Sequence, residues 1–120
     1  MTRQQNINKL DQLCSDWCRS LGRCEVGEAL GEWCSTYLPL QTHHLSKRGH
    51  LLNRFKESNL VCICAYHHQK CEDKAYNGMV AGLIRTEEQL RDIFEDHNEI
   101  YKGDFEEFFE EWKDKPSRGE

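Results

Sequence analysis

Four residues of this chain stand where they could act on one substrate: His43, His44, Asn59 and His68. Two imidazoles that face each other can hold a divalent ion and leave positions open for phosphate and water. Adjacent residues of a strand point to opposite faces, so His43 and His44 cannot easily share one task. If one is a ligand, the other is free as a base, and an ordinary imidazole pKa of about 6.5 suits taking a proton from water at neutral pH. Seven cysteines form a second set. An odd number cannot be fully paired within one chain. The opening residues Met1-Thr2-Arg3-Gln4-Gln5-Asn6 lack the apolar stretch of a secretion signal. Cysteines near histidines in such a chain are expected to bind metal rather than to form disulfides.

The elements that must position these residues read as strand, basic loop, strand, helix. Tyr37 to Leu45 has the pattern of an extended strand ending at the two histidines. Ser46 to Lys56 is a basic loop, and Asn59 to Cys64 is a second apolar, β-branched run. A helix is expected from Ala65 or Tyr66 to about Asn77, with Gly78 after it. His67 and His68, about 100° apart around that helix, would serve different sites. Before this unit, residues 8–22 predict a helix with Ile7, Leu10, Leu13, Cys14, Trp17, Cys18 and Leu21 on one stripe. Asn6 or Asn8 would cap it and Gly22 would end it. Cys14 and Cys18 then belong to the core, and Cys62 should point inward. Residues 23–46 predict short strands and loops. After the unit, Thr86-Glu87-Glu88-Gln89 has the form of a capping box. Leu90, Ile93, Phe94 and His97 would face inward from the helix it opens. Asp104 would cap a last helix with Phe105, Phe108, Phe109 and Trp112 on one stripe, and Lys113 to Glu120 would be a frayed tail.

A length of 120 residues suits one domain, here 1–120, built from an N-terminal helix (8–22), a core (24–77) and acidic C-terminal helices (86–113). With 38% hydrophobic and 31% charged residues the chain is too rich in core formers to be disordered, and no apolar run is long enough to span a bilayer. A cytoplasmic location is the expectation. The net charge of -5 opposes nucleic-acid binding only as an average. Residues 1–70 carry nine Lys and Arg against six Asp and Glu, and the excess of acid lies after them. Between Lys47 and Lys56 there are four basic residues, Lys47, Arg48, Arg54 and Lys56, and no acid. A local basic surface is what phosphate contacts require.

The strings Thr42-His43-His44-Leu45, Asn59-Leu60-Val61-Cys62-Ile63-Cys64 and His67-His68-Gln69-Lys70 resemble the core of the HNH nucleases. Asn59 lies fifteen residues after His44, and His68 nine after Asn59. The likeness covers roughly residues 24 to 74 and extends to the small nucleases of phage recombination and packaging genes. It implies an α+β fold with a ββα-metal, treble-clef-like core, and hydrolysis of DNA phosphodiester bonds. It further implies His44 as general base, His43 and His68 as ligands of one Mg²⁺, Mn²⁺ or Ni²⁺ ion, and Asn59 orienting His44 through the loop backbone. Glu72 stands where some relatives have a further histidine ligand. Lys47, Arg48, Arg54 and Lys56 would meet the phosphates of double-stranded or branched DNA.

Many members also carry a structural zinc held by two Cys-x-x-Cys pairs. Here Cys64-Ala65-Tyr66-His67 fills the second slot, while Cys24-Glu25-Val26-Gly27 lacks its second cysteine. Cys34 is the next candidate, which would give a site of Cys24, Cys34, Cys64 and His67. A phage origin, implied by the same likeness, would put the protein in a host cytoplasm. The competing reading is a non-catalytic, zinc-stapled module that binds nucleic acid or protein and keeps a vestigial site. The acidic C-terminal helices then offer a surface for a protein partner or for a second copy of the chain.

Overall fold

A two-stranded antiparallel sheet lies between two helical layers. The computed structural model describes residues 2–35, 37–46, 51–94 and 105–118. The elements run α1 (Arg3–Arg19), α2 (Glu25–Leu30), β1 (Gln41–His44), α3 (Leu51–Arg54), a 3-10 turn (Glu57–Asn59), β2 (Leu60–Ile63), α4 (Ala65–Lys70), α5 (Lys74–Ile84), α6 (Glu87–Phe94) and α7 (Glu106–Trp112). The fold is therefore a small α+β domain. Among the described residues no helix is long and apolar enough to cross a membrane.

The core has two halves because β2 is buried on both faces. Val61 and Ile63 turn to a cluster with Val26, Leu45, Val80, Ala81 and Ile93. Leu60 and Cys62 turn to the other side, against Ile7, Leu10, Cys14, Cys18, Phe55, Phe105 and Trp112. Period-two alternation thus feeds α2, α5 and α6 on one face and α1 and α7 on the other. The register pairs Thr42 with Cys62 and His44 with Leu60. Cys14 and Cys18 lie in the core, and burial above all pushes both thiols up, Cys18 to about 11. They act there as small hydrophobes.

Local structure departs from expectation at several points. The first helix starts at Arg3 because Thr2 caps it: its hydroxyl accepts from the Gln5 N–H while the Gln5 side chain accepts from the Thr2 N–H. Neither Asn6 nor Asn8 is needed, and Ser20 closes the helix before Gly22 turns the chain with φ +76°. Residues 23–46 hold a helix rather than only strands and loops, since the Cys24 sulfur caps α2 and Gly31, at φ +66°, ends it. The strand expected from Tyr37 is formed only over Gln41–His44. The helix expected to reach Asn77 breaks at Cys71, and Asp73 caps a new one by accepting from the N–H groups of Ala75 and Tyr76. Gly78 lies inside α5 rather than after it.

At the C-terminal end, Thr86 and Gln89 form the reciprocal capping box that opens α6. Ile93 is buried, while Phe94 is exposed, so the inner face is narrower than expected. His97 and Asp104 lie outside the described residues. Phe105 and Trp112 pack into the core, with Phe108 and Phe109 half-buried beside them. The Trp112 indole N–H donates to the Phe55 carbonyl at 3.0 Å, and its ring meets Trp17 edge-on. Residues 113–118 are docked, not frayed. Lys115 reaches Glu57 at 2.6 Å, and Arg118 lies over the Trp17 ring.

Glu25 ties these parts together. Its carboxylate accepts from the backbone N–H of Cys62 at 2.7 Å and pairs with Arg85 and Arg118, each at 3.2 Å. Arg85 in turn donates to the carbonyls of Ser58 and Leu60. On the outer edge of β2, where no third strand pairs among the described residues, these side chains satisfy the Cys62 N–H and the Leu60 carbonyl. Burial alone would raise the Glu25 pKa, but Arg118, the Cys62 N–H and Arg85 outweigh it and hold the carboxyl below its ordinary value. A carboxylate so lowered adds stability above its unfolded pKa and loses it as pH falls through the folded one. Glu25→Gln is expected to cost about 3 kcal/mol, since it leaves two half-buried cations short of a partner. Urea unfolding at neutral pH measures this loss, and the gap between variant and parent should narrow on acidification. Equal stability at neutral pH would refute the role.

Candidate metal centre and adjoining cleft

Two helix starts converge on one point. Cys24 precedes α2 and Cys64 precedes α4, and each sulfur accepts the backbone N–H three residues on, from Gly27 and His67. At Cys64 the contact from the His67 N–H favours the thiolate. His67, fully buried in the first turn of α4, presents Nδ1 to Cys64 Sγ at 3.2 Å, to Cys24 Sγ at 3.7 Å and to Cys34 Sγ at 3.7 Å. All four ligand atoms lie within 4.8 Å of one another. A tetrahedral ion with bonds of about 2.3 Å to sulfur and about 2.0 Å to nitrogen sets sulfur–nitrogen edges of about 3.5 Å. The Cys₃His group therefore has the spacing to hold a metal ion such as zinc.

Cys34 takes the place of the missing cysteine in a specific sense. A Cβ built on Gly27 would lie 2.0 Å from Cys34 Sγ, little more than a carbon–sulfur bond. The Cys34 sulfur thus occupies the position that a side chain at 27 would fill, and Gly27 is the residue that leaves it vacant. Burial, followed by contact with the Cys24 sulfur, pushes the Cys34 thiol up to about 12. Cys64 moves the other way, to about 7: burial alone would raise it, and the N–H groups of His67 and Ser35 with the His67 ring outweigh that. Sequence reasoning missed Glu32, whose carboxylate stands 3.5 Å from His67 Nε2. A carboxylate behind a histidine ligand fixes the ring and makes it a better donor. Cys71 belongs to the apolar core.

The second histidine of α4 turns to a different place. The His43 and His68 rings meet edge to face with centroids 5.1 Å apart. Burial lowers the pKa of both, so both favour the neutral form. Gln41 and His43 share one side of β1 and reach His68 and Asn77. Thr42 turns the other way, to Ser15 of α1 at 3.0 Å, and His44 shares that side by period two. Both sides open on an open cleft of about 620 Å³ lined by Asn8, Asp11, Gln12 and Ser15 of α1 together with His43, His44 and His68. Asn59 is fully buried beside it. Its side chain accepts from the Ser46 N–H at 2.7 Å and donates to the Asn53 carbonyl at 3.1 Å, tying the two ends of the loop that follows His44.

Other expected site residues lie elsewhere or are already engaged. Glu72 is exposed in the turn after α4 and acts on His68 only by its charge. Arg54 donates to Asp11 on the cleft wall at 2.8 Å, and Lys56 pairs with Asp92 at 2.9 Å. Neither is a bare phosphate contact, because each has a carboxylate within reach. Lys47 and Arg48 lie outside the described residues. The α1 wall could not be read from sequence, since its polar residues look like any solvated helix face. Gln41 left a faint signal, two residues before His43 and so on the same side of β1.

Compared with family models, curated proteins and solved structures, the chain matches none of them. The metal centre makes its own prediction. Gly27→Ala and Cys34→Ser should each lose bound zinc, as measured by elemental analysis. Gly27→Cys in the Cys34→Ser background should restore it, because the new sulfur would stand where the old one stood. Retention of zinc in Cys34→Ser alone would remove Cys34 from the ligand set. Binding should also weaken as pH falls, since the ion must displace the proton that Cys34 holds tightly.

Proposed function

We propose that the chain is a metal-dependent endonuclease of the HNH, ββα-metal type that hydrolyses phosphodiester bonds in DNA. The observation that carries this reading is a single cleft lined by His43, His44, Ser46 and His68, with the buried Asn59 bonded to the Ser46 backbone. Their order and spacing along the chain match the resemblance noted above. His44 is the general base and accepts a proton from the attacking water. Asn59 holds the loop after His44 and thereby the imidazole itself, a positioning role. His43 and His68 hold one divalent ion, for which their neutral rings suit them. When bound, that ion supplies Lewis-acid stabilisation of the charge gathering on the scissile phosphate. Cys24, Cys34, Cys64 and His67 form a structural zinc site that fixes the start of α4, and with it His68.

The cleft wall refines the substrate contacts. Asp11 faces the cleft and holds Arg54, so a phosphate would have to compete with Asp11 for that guanidinium. Lys47 and Arg48, which precede it in the sequence, remain the other candidates for phosphate contact. The pairing of Arg54 and Lys56 within the chain favours one second reading, a zinc-stapled module without catalysis. One assay separates the two. Purified protein with supercoiled plasmid and Mg²⁺, Mn²⁺ or Ni²⁺ should convert it to nicked circles, and chelation should stop the reaction. His44→Ala should slow nicking by about 10²-fold or more while leaving ion affinity intact. His43→Ala and His68→Ala should lose ion affinity as well. Absence of metal-dependent nicking, or nicking unchanged in His44→Ala, would sink the nuclease reading.

A further inference from the structure

The amides of Asn77 and Gln41 each touch one of the two cleft histidines, and each touches only one ring nitrogen. Asn77 Oδ1 lies 2.6 Å from His43 Nε2. The orientation of that amide is set independently, because Asn77 Nδ2 donates to the Leu45 carbonyl at 3.1 Å. An amide oxygen can only accept, so His43 Nε2 carries the hydrogen. A neutral imidazole has one N–H, which leaves the lone pair of His43 on Nδ1. At His68 the pattern is reversed. Gln41 Oε1 meets His68 Nδ1, and with the amide so oriented Nδ1 carries the hydrogen and Nε2 the lone pair.

We infer that Asn77 and Gln41 are positioning residues that fix the tautomers of the two histidines, so that His43 offers Nδ1 and His68 offers Nε2 to a divalent ion. This deepens the proposed active site and rests on His43 and His68 being its ligands. A histidine ligand that donates its other N–H to a carbonyl oxygen is held in rotation and made more basic, an effect worth about 10–100-fold in ion affinity. The fold had to break a helix to supply one of the two amides. Had α4 run on unbroken past Lys70, residue 77 would lie about 10 Å further along its axis. The turn at Cys71–Asp73 instead brings α5, and Asn77 with it, to the end of β1. Gln41 needs no such device, since it stands two residues before His43 on the same side of the strand.

The test is a ¹⁵N–¹H correlation spectrum of the histidine rings, recorded on protein loaded with zinc but free of other ions, at neutral pH. The expected result is His43 as the Nε2–H form and His68 as the Nδ1–H form. The second is the more telling, because free histidine favours Nε2–H. Gln41→Leu should release His68 from the Nδ1–H form and weaken Mn²⁺ or Ni²⁺ binding, measured calorimetrically, by about 10–100-fold. Gln41→Glu should retain both. Asn77→Leu and Asn77→Asp should behave the same way at His43. Zinc content and circular dichroism check that each variant is folded. His68 in the Nε2–H form in the parent, or tautomer and affinity unmoved by Gln41→Leu, would overturn the inference. So would Asn77→Asp binding the ion more tightly than the parent with His43 joined through Nε2, which would make residue 77 a ligand. Correct tautomers in a protein that does not nick DNA would sink the nuclease reading and leave this one standing.

Discussion

The convergence of three sulfurs on the His67 ring is the constraint on which the rest of the structure depends. It joins residues from the start of α2, the loop after it and the start of α4 at one point. A two-stranded sheet has little stability of its own and cannot define where helices begin. Here the helix starts are defined by the cluster itself, because Cys24 and Cys64 are both the caps of their helices and members of it. An ion that binds the folded arrangement and not the unfolded chain contributes its binding energy to folding.

Two consequences run outward from that point. Along α4, fixing His67 also fixes His68, one residue on and about 100° around the helix. One imidazole is spent on the cluster and the next is delivered to the cleft opposite His43. Along α2, fixing Cys24 fixes Glu25, whose carboxylate then closes the outer edge of β2 and gathers Arg85 and Arg118. The cleft and the C-terminal segment are therefore held by the chain neighbours of two members of the Cys₃His cluster. Stability and site geometry share the same few residues, which is economical in a chain of 120 residues.

The cleft itself is made by division of labour along β1. Alternation sends Gln41 and His43 toward α4 and α5, and Thr42 and His44 toward α1. The proposed base, His44, and the proposed ligand, His43, are thus separated by geometry that any strand provides. Asn59 is the counterpart on β2: buried where it enters the strand, it spends its amide on loop backbone and so holds the chain just after His44. The acidic α7 contributes nothing polar to this cleft. Its aromatic stripe packs against α1, and none of its carboxylates lines the cleft.

Much of this was legible in the residues alone, where the determinant was local. Ligand types, the alternation at His43-His44, the core placement of Cys14 and Cys18, the capping box at Thr86 and the apolar stripe of Phe105 to Trp112 each follow from neighbours within a few positions. What only the tertiary structure decided depends on atoms far apart in sequence. Cys34 completes the cluster because Gly27 leaves a side-chain position vacant, and that vacancy exists only once α2 has formed. Asn77 reaches His43 because Asp73 caps a new helix, and although Asp is a local capping signal, the pattern from Ala65 onward also fits one continuous helix. Arg54 and Lys56 read as free cations until the fold sets Asp11 and Asp92 beside them. Local propensity chose the elements and the chemistry they carry, while the pairing of distant charges and the return of distant side chains waited on packing.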